Sequence, residues 1–357
     1  MSDFDLTALR ERIRQIDAEL VALAGERISI ARAVGEAKRE QNLPTTDYRQ
    51  ERVVLDRARA ASERHGLDPK VAEVLIATLI RASVSAQDRD NQRSAALGAG
   101  QRAVVIGGAG RMGQWLIRFL ADQGYTAGSL DPASPAEEQE WARETLPTAD
   151  LIVCSTPPVA TAALYEQWAA NPPGGVVVDI ASIKTPLLGA IEKLMTAGGH
   201  VASIHPMFGP SVVLLRDCDV VICDTGDAEA TATVERLFQP TTAHVIHLPL
   251  ADHDRIMADV LSLAHATAIA FAVALPDIRH SIRSTTLSAM ESLAYNIVRE
   301  SPDVYYEIQA ENPYSMTALA RMRAALDRVV NAVEARDPER FRALLAEGKR
   351  RTERTGS

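Results

Sequence analysis

Ala103-Val-Val-Ile-Gly-Gly-Ala-Gly-Arg-Met-Gly113 decides how the middle of this chain folds. A short apolar run, β-like in its valines and isoleucine, enters a glycine-rich turn and then an apolar-periodic helix beginning near Met112. In Gly108-x-Gly110-x-x-Gly113, the first glycine is expected to permit the tight turn. The second lets a pyrophosphate approach the backbone, and the third lets helix pack close to strand. Arg111 and Met112 open the helix, whose unpaired N–H groups and dipole favour an anion. Thr126-Ala-Gly-Ser-Leu-Asp131 reads as a second strand ending in an acid 18 residues after Gly113. A carboxylate there accepts from a ribose 2′-hydroxyl and repels a 2′-phosphate, so NAD is expected over NADP. The expected cofactor residues are Gly108, Gly110, Arg111, Met112, Gly113 and Asp131.

Further strands follow. Asp150-Leu-Ile-Val-Cys-Ser-Thr-Pro157 reads as a buried strand ending in Ser155, and Gly175-Val-Val-Val-Asp-Ile-Ala-Ser182 as another. Strands alternating with helix-like segments predict a parallel sheet, and ligands of such sheets sit beyond the strands' carboxyl ends, where Ser155, Ser182 and Lys184 fall. His200-Val-Ala-Ser-Ile-His205-Pro-Met-Phe-Gly-Pro210 places a histidine at a strand end between prolines.

Before the glycine loop the periods are helical. Leu6, Leu9, Ile13, Ile16, Leu20 and Leu23 predict one long amphipathic helix to about Arg39. Tyr48 to Arg64 reads as a second helix, and Asp68-Pro69 caps a third to about Asp88. Helices this long in so small a unit leave an apolar stripe uncovered, so pairing with a second copy, a homodimer, is expected. Arg27 and Lys38 lie about 20° apart on one helix face, with Arg10 about 100° round from Arg27. Asp47 and Glu51 are an i,i+4 pair, as are Ser83 and Gln87. From Asp252 onward helices return: an apolar period through Ile256–Leu275, a break at Pro276, then stretches from Ser281 and from Ser315 to about Gly348.

Composition sets outer limits. In 357 residues the net charge is −9 with no basic block, which argues against nucleic acid and leaves small anions as ligands. Cys154, Cys218 and Cys223 form neither a disulfide framework nor a spaced metal site, so a reducing cytoplasm and no metal are expected. The first residues, Met-Ser-Asp-Phe-Asp, lack a signal peptide's apolar region, and no apolar run is expected to approach a membrane span.

Two resemblances rest on these residues. Ala8-Leu9-Arg10, Gly25-Glu26-Arg27 through Val34-Gly35-Glu36-Ala37-Lys38, Asp47-x-x-x-Glu51 and Ser83-x-x-x-Gln87 resemble the all-helical chorismate mutases over 5–90. The resemblance implies catalytic roles for Arg27, Lys38, Glu51 and Gln87, substrate contacts from Asp47 and Ser83, and an Arg10 that enters the partner's site in an intertwined dimer. The rearrangement of a dianion needs compact folding and stabilised negative charge on the breaking ether oxygen, which such cations supply. The glycine loop, Ser155-x-Pro157, Asp179-x-Ala-Ser-x-Lys184, the His205 run and His253-Asp254…His265 resemble the prephenate dehydrogenases. Together they resemble the bifunctional chorismate mutase/prephenate dehydrogenases and their 4-amino-4-deoxyprephenate dehydrogenase relatives. The implied architecture is an all-α mutase-like domain (1–92), a linker (93–101), an α/β Rossmann-type domain (102–250) and an all-α dimerisation domain (251–357).

The implied dehydrogenase roles are catalysis by His205 and Ser155, with Ser182, His265 and Asn296 against a small dicarboxylate substrate. Two departures stand out. Gln50 and Asn296 each occupy a position where the resemblance implies arginine; losing such a contact costs about 1.5–3 kcal/mol. If the substrates carry an amine at C4, as in 4-amino-4-deoxychorismate and 4-amino-4-deoxyprephenate, an arginine there would be repulsive. Ordinary chorismate and prephenate stay open as substrates. So does a helical segment that only dimerises or senses a ligand.

Overall fold

The computed structural model describes residues 6–212, 215–276, 282, 284–299 and 301–353. The chain separates into two compact units, one of 1–156, 160–181 and 190–248, the other of 157–159, 182–189 and 249–357.

The first unit opens with α1 (Leu6–Glu40), α2 (Tyr48–Arg64) and α3 (Pro69–Ala95). Asp47 caps α2 by accepting from the backbone N–H of Arg49 and Gln50, and Asp68 caps α3 ahead of Pro69. The apolar stripe of α1 is largely uncovered: Ile13 is 57% exposed and Leu23 61%. Burying such a side chain is worth about 1.5–3 kcal/mol, so this face is built for a covering surface. Helix α3 runs past the expected Asp88 boundary into the expected linker. No glycine or proline interrupts it before Gly98, and Asp88 and Gln92 are buried along it. It ends where Ala96 turns left-handed, at φ 43°.

The sheet comprises β1 (Arg102–Ile106), β2 (Thr126–Leu130), β3 (Leu151–Cys154), β4 (Val176–Asp179), β5 (His200–Pro206), β6 (Asp219–Asp224) and β7 (His244–Pro249), in the order β2-β1-β3-β4-β5-β6-β7. Connecting helices are α4 (Arg111–Asp122), α5 (Ala136–Thr145), α6 (Pro158–Trp168), α7 (Leu188–Thr196) and α8 (Ala228–Phe238). The expected parallel pairing extends from β2 to β5, whereas β6 is antiparallel to β5. Among the described residues no helix intervenes between β5 and β6 in the chain order, and without a crossover the chain returns in the opposite direction. Val105, Leu120, Val153 and Ile222 lie in the core cluster around this sheet. The chain order reverses between β1 and β3, so both loops that follow these strands emerge at one edge.

The second unit contains α9 (His253–Met257), a π-helical turn at Ala258–Ser262, α10 (Leu263–Ala274), α11 (Thr285–Val298), α12 (Pro302–Ala310), α13 (Ser315–Glu334) and α14 (Pro338–Glu353). Ser284 caps α11; the expected helix start at Ser281 lies outside the described residues. Asp337-Pro338 divides the last expected helix in two, because proline cannot continue the preceding hydrogen-bond ladder. Contrary to the sequence expectation, Leu250–Ala274 is long and apolar enough to cross a membrane by length and composition, with mean hydropathy 1.8. Polar contacts nevertheless tie it to its own unit. Ser262 hydroxyl lies 2.7 Å from that of Ser315, Gln309 donates to Ser262 O at 3.0 Å, and Asn312 donates to Asp254 O at 2.8 Å.

Candidate active sites

The loop after β1 is shaped by crowding. Gly107, not Gly108, carries the left-handed turn, at φ +78°. This corrects the expected role of Gly108, whose missing side chain instead makes room for Ser129: a Cβ there would lie 2.3 Å from the Ser129 hydroxyl. A Cβ on Gly113 would lie 2.3 Å from Gly107 O, which is the close helix–strand packing expected of the third glycine. At Gly110 a Cβ would meet only Gly107 O, at 3.2 Å. That position faces space on the side of the α4 N-terminus, so a pyrophosphate fits the cradle. Arg111 is exposed and Met112 half-buried at the start of α4. Asp131 follows β2, its Oδ1 accepting from Ala133 N at 2.8 Å, which fixes the carboxylate at the strand end.

Ser155 and His205 belong to the same sheet edge. Ser155 N donates to Ile106 O at 2.8 Å, which seats it beside β1. Cys154, Asp179 and Ser203 are in register across β3, β4 and β5, so Ser155 and His205 lie just beyond one line. Two strand spacings, about 10 Å, separate them. His205 is only 4% exposed, opposite Val221 of β6.

In the second unit, Asp254 is a hub. Its Oδ1 accepts from Lys184 N and lies 2.7 Å from His253 Nδ1, while its Oδ2 accepts from Thr185 N. Although burial opposes it, these hydrogen bonds, with His253 first, hold the carboxyl down at about 2. Asp254 thereby anchors the 182–189 segment, with Ser182 half-buried and Lys184 buried. His265 is half-buried, its ring 4.5 Å from that of Tyr305, and burial lowers its pKa, which favours the neutral imidazole. Its Nδ1 has no hydrogen-bond partner among the described residues. Asn296 is exposed on α11. Arg299, one turn on, stacks over Tyr295 at 4.7 Å and hydrogen-bonds its hydroxyl.

The mutase-like residues gather on the three N-terminal helices. Arg27 Nη1 donates to Ser83 Oγ at 2.8 Å and to Leu79 O at 3.1 Å, joining α1 to α3. Gln87 donates to Ala31 O one turn further on, and Gly35 makes room for it, since a Cβ there would fall 2.7 Å from Gln87 Cγ. Lys38 Nζ donates to Thr45 O at 3.0 Å. Asp47 is the α2 cap and precedes the helix that carries Glu51. Arg10 is exposed, 17 residues from Arg27 on the same helix, or about 25 Å along its axis. It is out of reach of Arg27 in its own chain.

Two residues went unnoticed in the sequence because their partners are more than 150 positions away. Arg216, in the loop between β5 and β6, pairs with Glu51. Asp88 accepts from Thr242 N at 3.2 Å and from the Thr242 hydroxyl, while its Oδ1 has no hydrogen-bond partner among the described residues. Burial pushes the Asp88 carboxyl up to about 6. Above that pH the folded protein carries a desolvated charge, and stability is recovered as pH falls through 6 toward the unfolded value. Asp88→Asn, which mimics the protonated form, is expected to raise the melting temperature by about 2–5 °C at pH 8 and to have little effect near pH 4. An equal shift at both values, measured by calorimetry, would contradict a buried charge as the cause.

Comparison with known families divides the chain in the same sequence. Residues 9–88 match the model for chorismate mutase type II, 136–247 that for the prephenate dehydrogenase nucleotide-binding domain, and 249–347 that for the prephenate dehydrogenase dimerization domain. A T-protein of Enterobacter agglomerans is 26% identical over 347 residues, covering 94% of this chain and 90% of that protein. The 4-amino-4-deoxyprephenate dehydrogenase of Streptomyces pristinaespiralis is 30% identical over 269 residues, covering 69% and 89%. A crystal structure of prephenate dehydrogenase from Aquifex aeolicus, in complex with hydroxyphenyl propionate and NAD+, has the same fold. It superposes with a TM-score of 0.57 at 17% identity, covering 71% of this chain and 98% of that one.

Proposed function

Because the chain belongs to the prephenate dehydrogenase family and carries a type II chorismate mutase domain fused to it, we propose that it rearranges a chorismate-type dianion and then oxidatively decarboxylates the prephenate-type product. The dehydrogenase half takes NAD, which when bound supplies the hydride acceptor; the Gly110 opening and Asp131 support this choice. His205 hydrogen-bonds the C4 substituent and takes its proton while hydride leaves C4 and the ring carboxylate departs as CO2. Ser155 orients the same substituent. Ser182, His265 and Asn296 contact the rest of the substrate. In the mutase centre Arg27, Lys38 and Gln87 face the carboxylates and the breaking ether oxygen, Glu51, Asp47 and Ser83 the remaining polar groups, and Arg10 serves the partner's centre in a homodimer covered along α1. Three free cysteines suit a reducing cytoplasm.

The substrates are assigned as the 4-amino compounds. The observation that carries this is the pair of amides, Gln50 and Asn296, where the family resemblance implies arginine; the likeness to the Streptomyces enzyme adds support. An alkylammonium cannot donate hydride readily, because its lone pair is tied up by a proton. His205 first takes that proton, the free lone pair then assists hydride departure, and 4-aminophenylpyruvate results. The match to a T-protein along nearly the whole chain favours the second reading, chorismate and prephenate giving 4-hydroxyphenylpyruvate for tyrosine.

The two are separated by direct comparison. The kcat/KM for 4-amino-4-deoxyprephenate is expected to be at least ~10-fold above that for prephenate, with Asn296→Arg shifting the ratio toward prephenate. A preference for prephenate in the unaltered protein, with products identified by mass, returns it to the tyrosine route. Absence of any mutase turnover by the full chain would make the N-terminal helices a dimerising or sensing module.

A further inference from the structure

Helix α2 meets the dinucleotide-binding part of its own unit through an ion pair. Arg216 Nη1 and Nη2 reach Glu51 Oε1 and Oε2 at 2.8 and 2.7 Å, a two-pronged contact between residues 165 positions apart. Its side chain is 11% exposed and that of Glu51 20%. Arg216 Cζ also lies 5.4 Å from the ring centroid of Tyr48, in the first turn of α2. The following residue, Asp217, is held at φ 63°, in the left-handed region, and its carboxylate is 3.9 Å from Arg216 Nε. That Nε is buried and has no hydrogen-bond partner among the described residues.

We propose that Arg216 is a positioning residue of the mutase-type centre, supplied by the dehydrogenase half of the chain. This rests on the reading of Glu51 as a residue of that centre. An exposed Arg–Glu pair is worth about 0–1 kcal/mol and constrains little, but a mostly buried fork fixes both planes. The two N–H groups take one lone pair from each carboxylate oxygen, and each oxygen keeps another with which to accept from a C4 hydroxyl or amine. Arg216 thus restricts Glu51 to one rotamer, a term that otherwise has to be met when the substrate binds. The Asp88–Thr242 contact, next to Gln87 on α3, holds the same two parts of the unit together and keeps the fork in register.

The test uses the full chain and the better turned-over of chorismate and 4-amino-4-deoxychorismate. Arg216→Ala is expected to lower mutase kcat/KM at least ~10-fold while NADH binding, read by fluorescence, is unchanged. Arg216→Lys, which keeps one charged contact, recovers part of the loss. In an Glu51→Gln background Arg216→Ala adds little, because it acts through the carboxylate that is already gone. Mutase activity of Arg216→Ala within twofold of the parent, or effects of the two substitutions that multiply, overturns the proposal and leaves the mutase reading standing. A parent protein that neither turns over nor binds either compound overturns both. A general loss of folding would lower NADH binding and mutase activity together, and it would persist undiminished in the Glu51→Gln background; that outcome too counts against a positioning role.

Discussion

His205→Asn is expected to lower dehydrogenase turnover by about 10²–10⁴, the range for a positioned general base, with NAD binding nearly intact. Asparagine is close in size to imidazole and keeps a polar tip, but it cannot take a proton at neutral pH. The substitution therefore separates chemistry from packing at a residue that is only 4% exposed near the end of β5. The glycine cradle after β1 is built from other residues, so NADH titration serves as the control. If turnover survives within a few fold, His205 is a buried histidine that packs its strand, and the proton acceptor has to be sought elsewhere.

The second large effect is expected in the other centre. Arg27→Ala should reduce mutase kcat/KM by about 10²–10³, as for removal of one preorganised donor to a developing negative charge. In the structure Arg27 is half-buried and already held by Ser83 Oγ at 2.8 Å and Leu79 O at 3.1 Å, so its guanidinium needs little reorganisation to meet an anion. Arg27→Lys is not expected to restore activity, since an ammonium is a compact point charge without the planar guanidinium fork that reaches Ser83 and Leu79. Oxidation of added prephenate-type substrate should continue at the parent rate. A mutase rate within a few fold of the parent in Arg27→Ala would remove this residue from the centre.

Local chemistry, written over a few residues, was legible in the chain. The long periods of α1, the Asp68 cap, and the apolar runs of β1, β3 and β4 specify their elements because helix and strand periods and cap hydrogen bonds act over one or two turns. The glycine spacing with Asp131 pointed to the dinucleotide corner for the same reason. Errors arose where a neighbour from elsewhere decides. Gly107 has no room for a side chain because Ser155 and Thr156 of the next loop crowd it, and Gly108 is small because of Ser129 on β2. Helix α3 continues past Asp88 because that polar stretch, which reads as a helix end, is buried along the helix, with Asp88 held by Thr242.

The sequence by itself determined the three kinds of segment, the cofactor corner and the candidate residues of both centres, since each is encoded by side-chain type at short fixed spacing. Tertiary structure alone decided which of those residues are joined and to what. Asp254 binds the backbone of Lys184 and Thr185 from 69 or more positions away, and Arg216 grips Glu51 across 165. Pairings at such separations follow from chain topology and burial, which no local period carries, and it is burial that turns an ordinary surface arginine or aspartate into a group with fixed partners and one orientation.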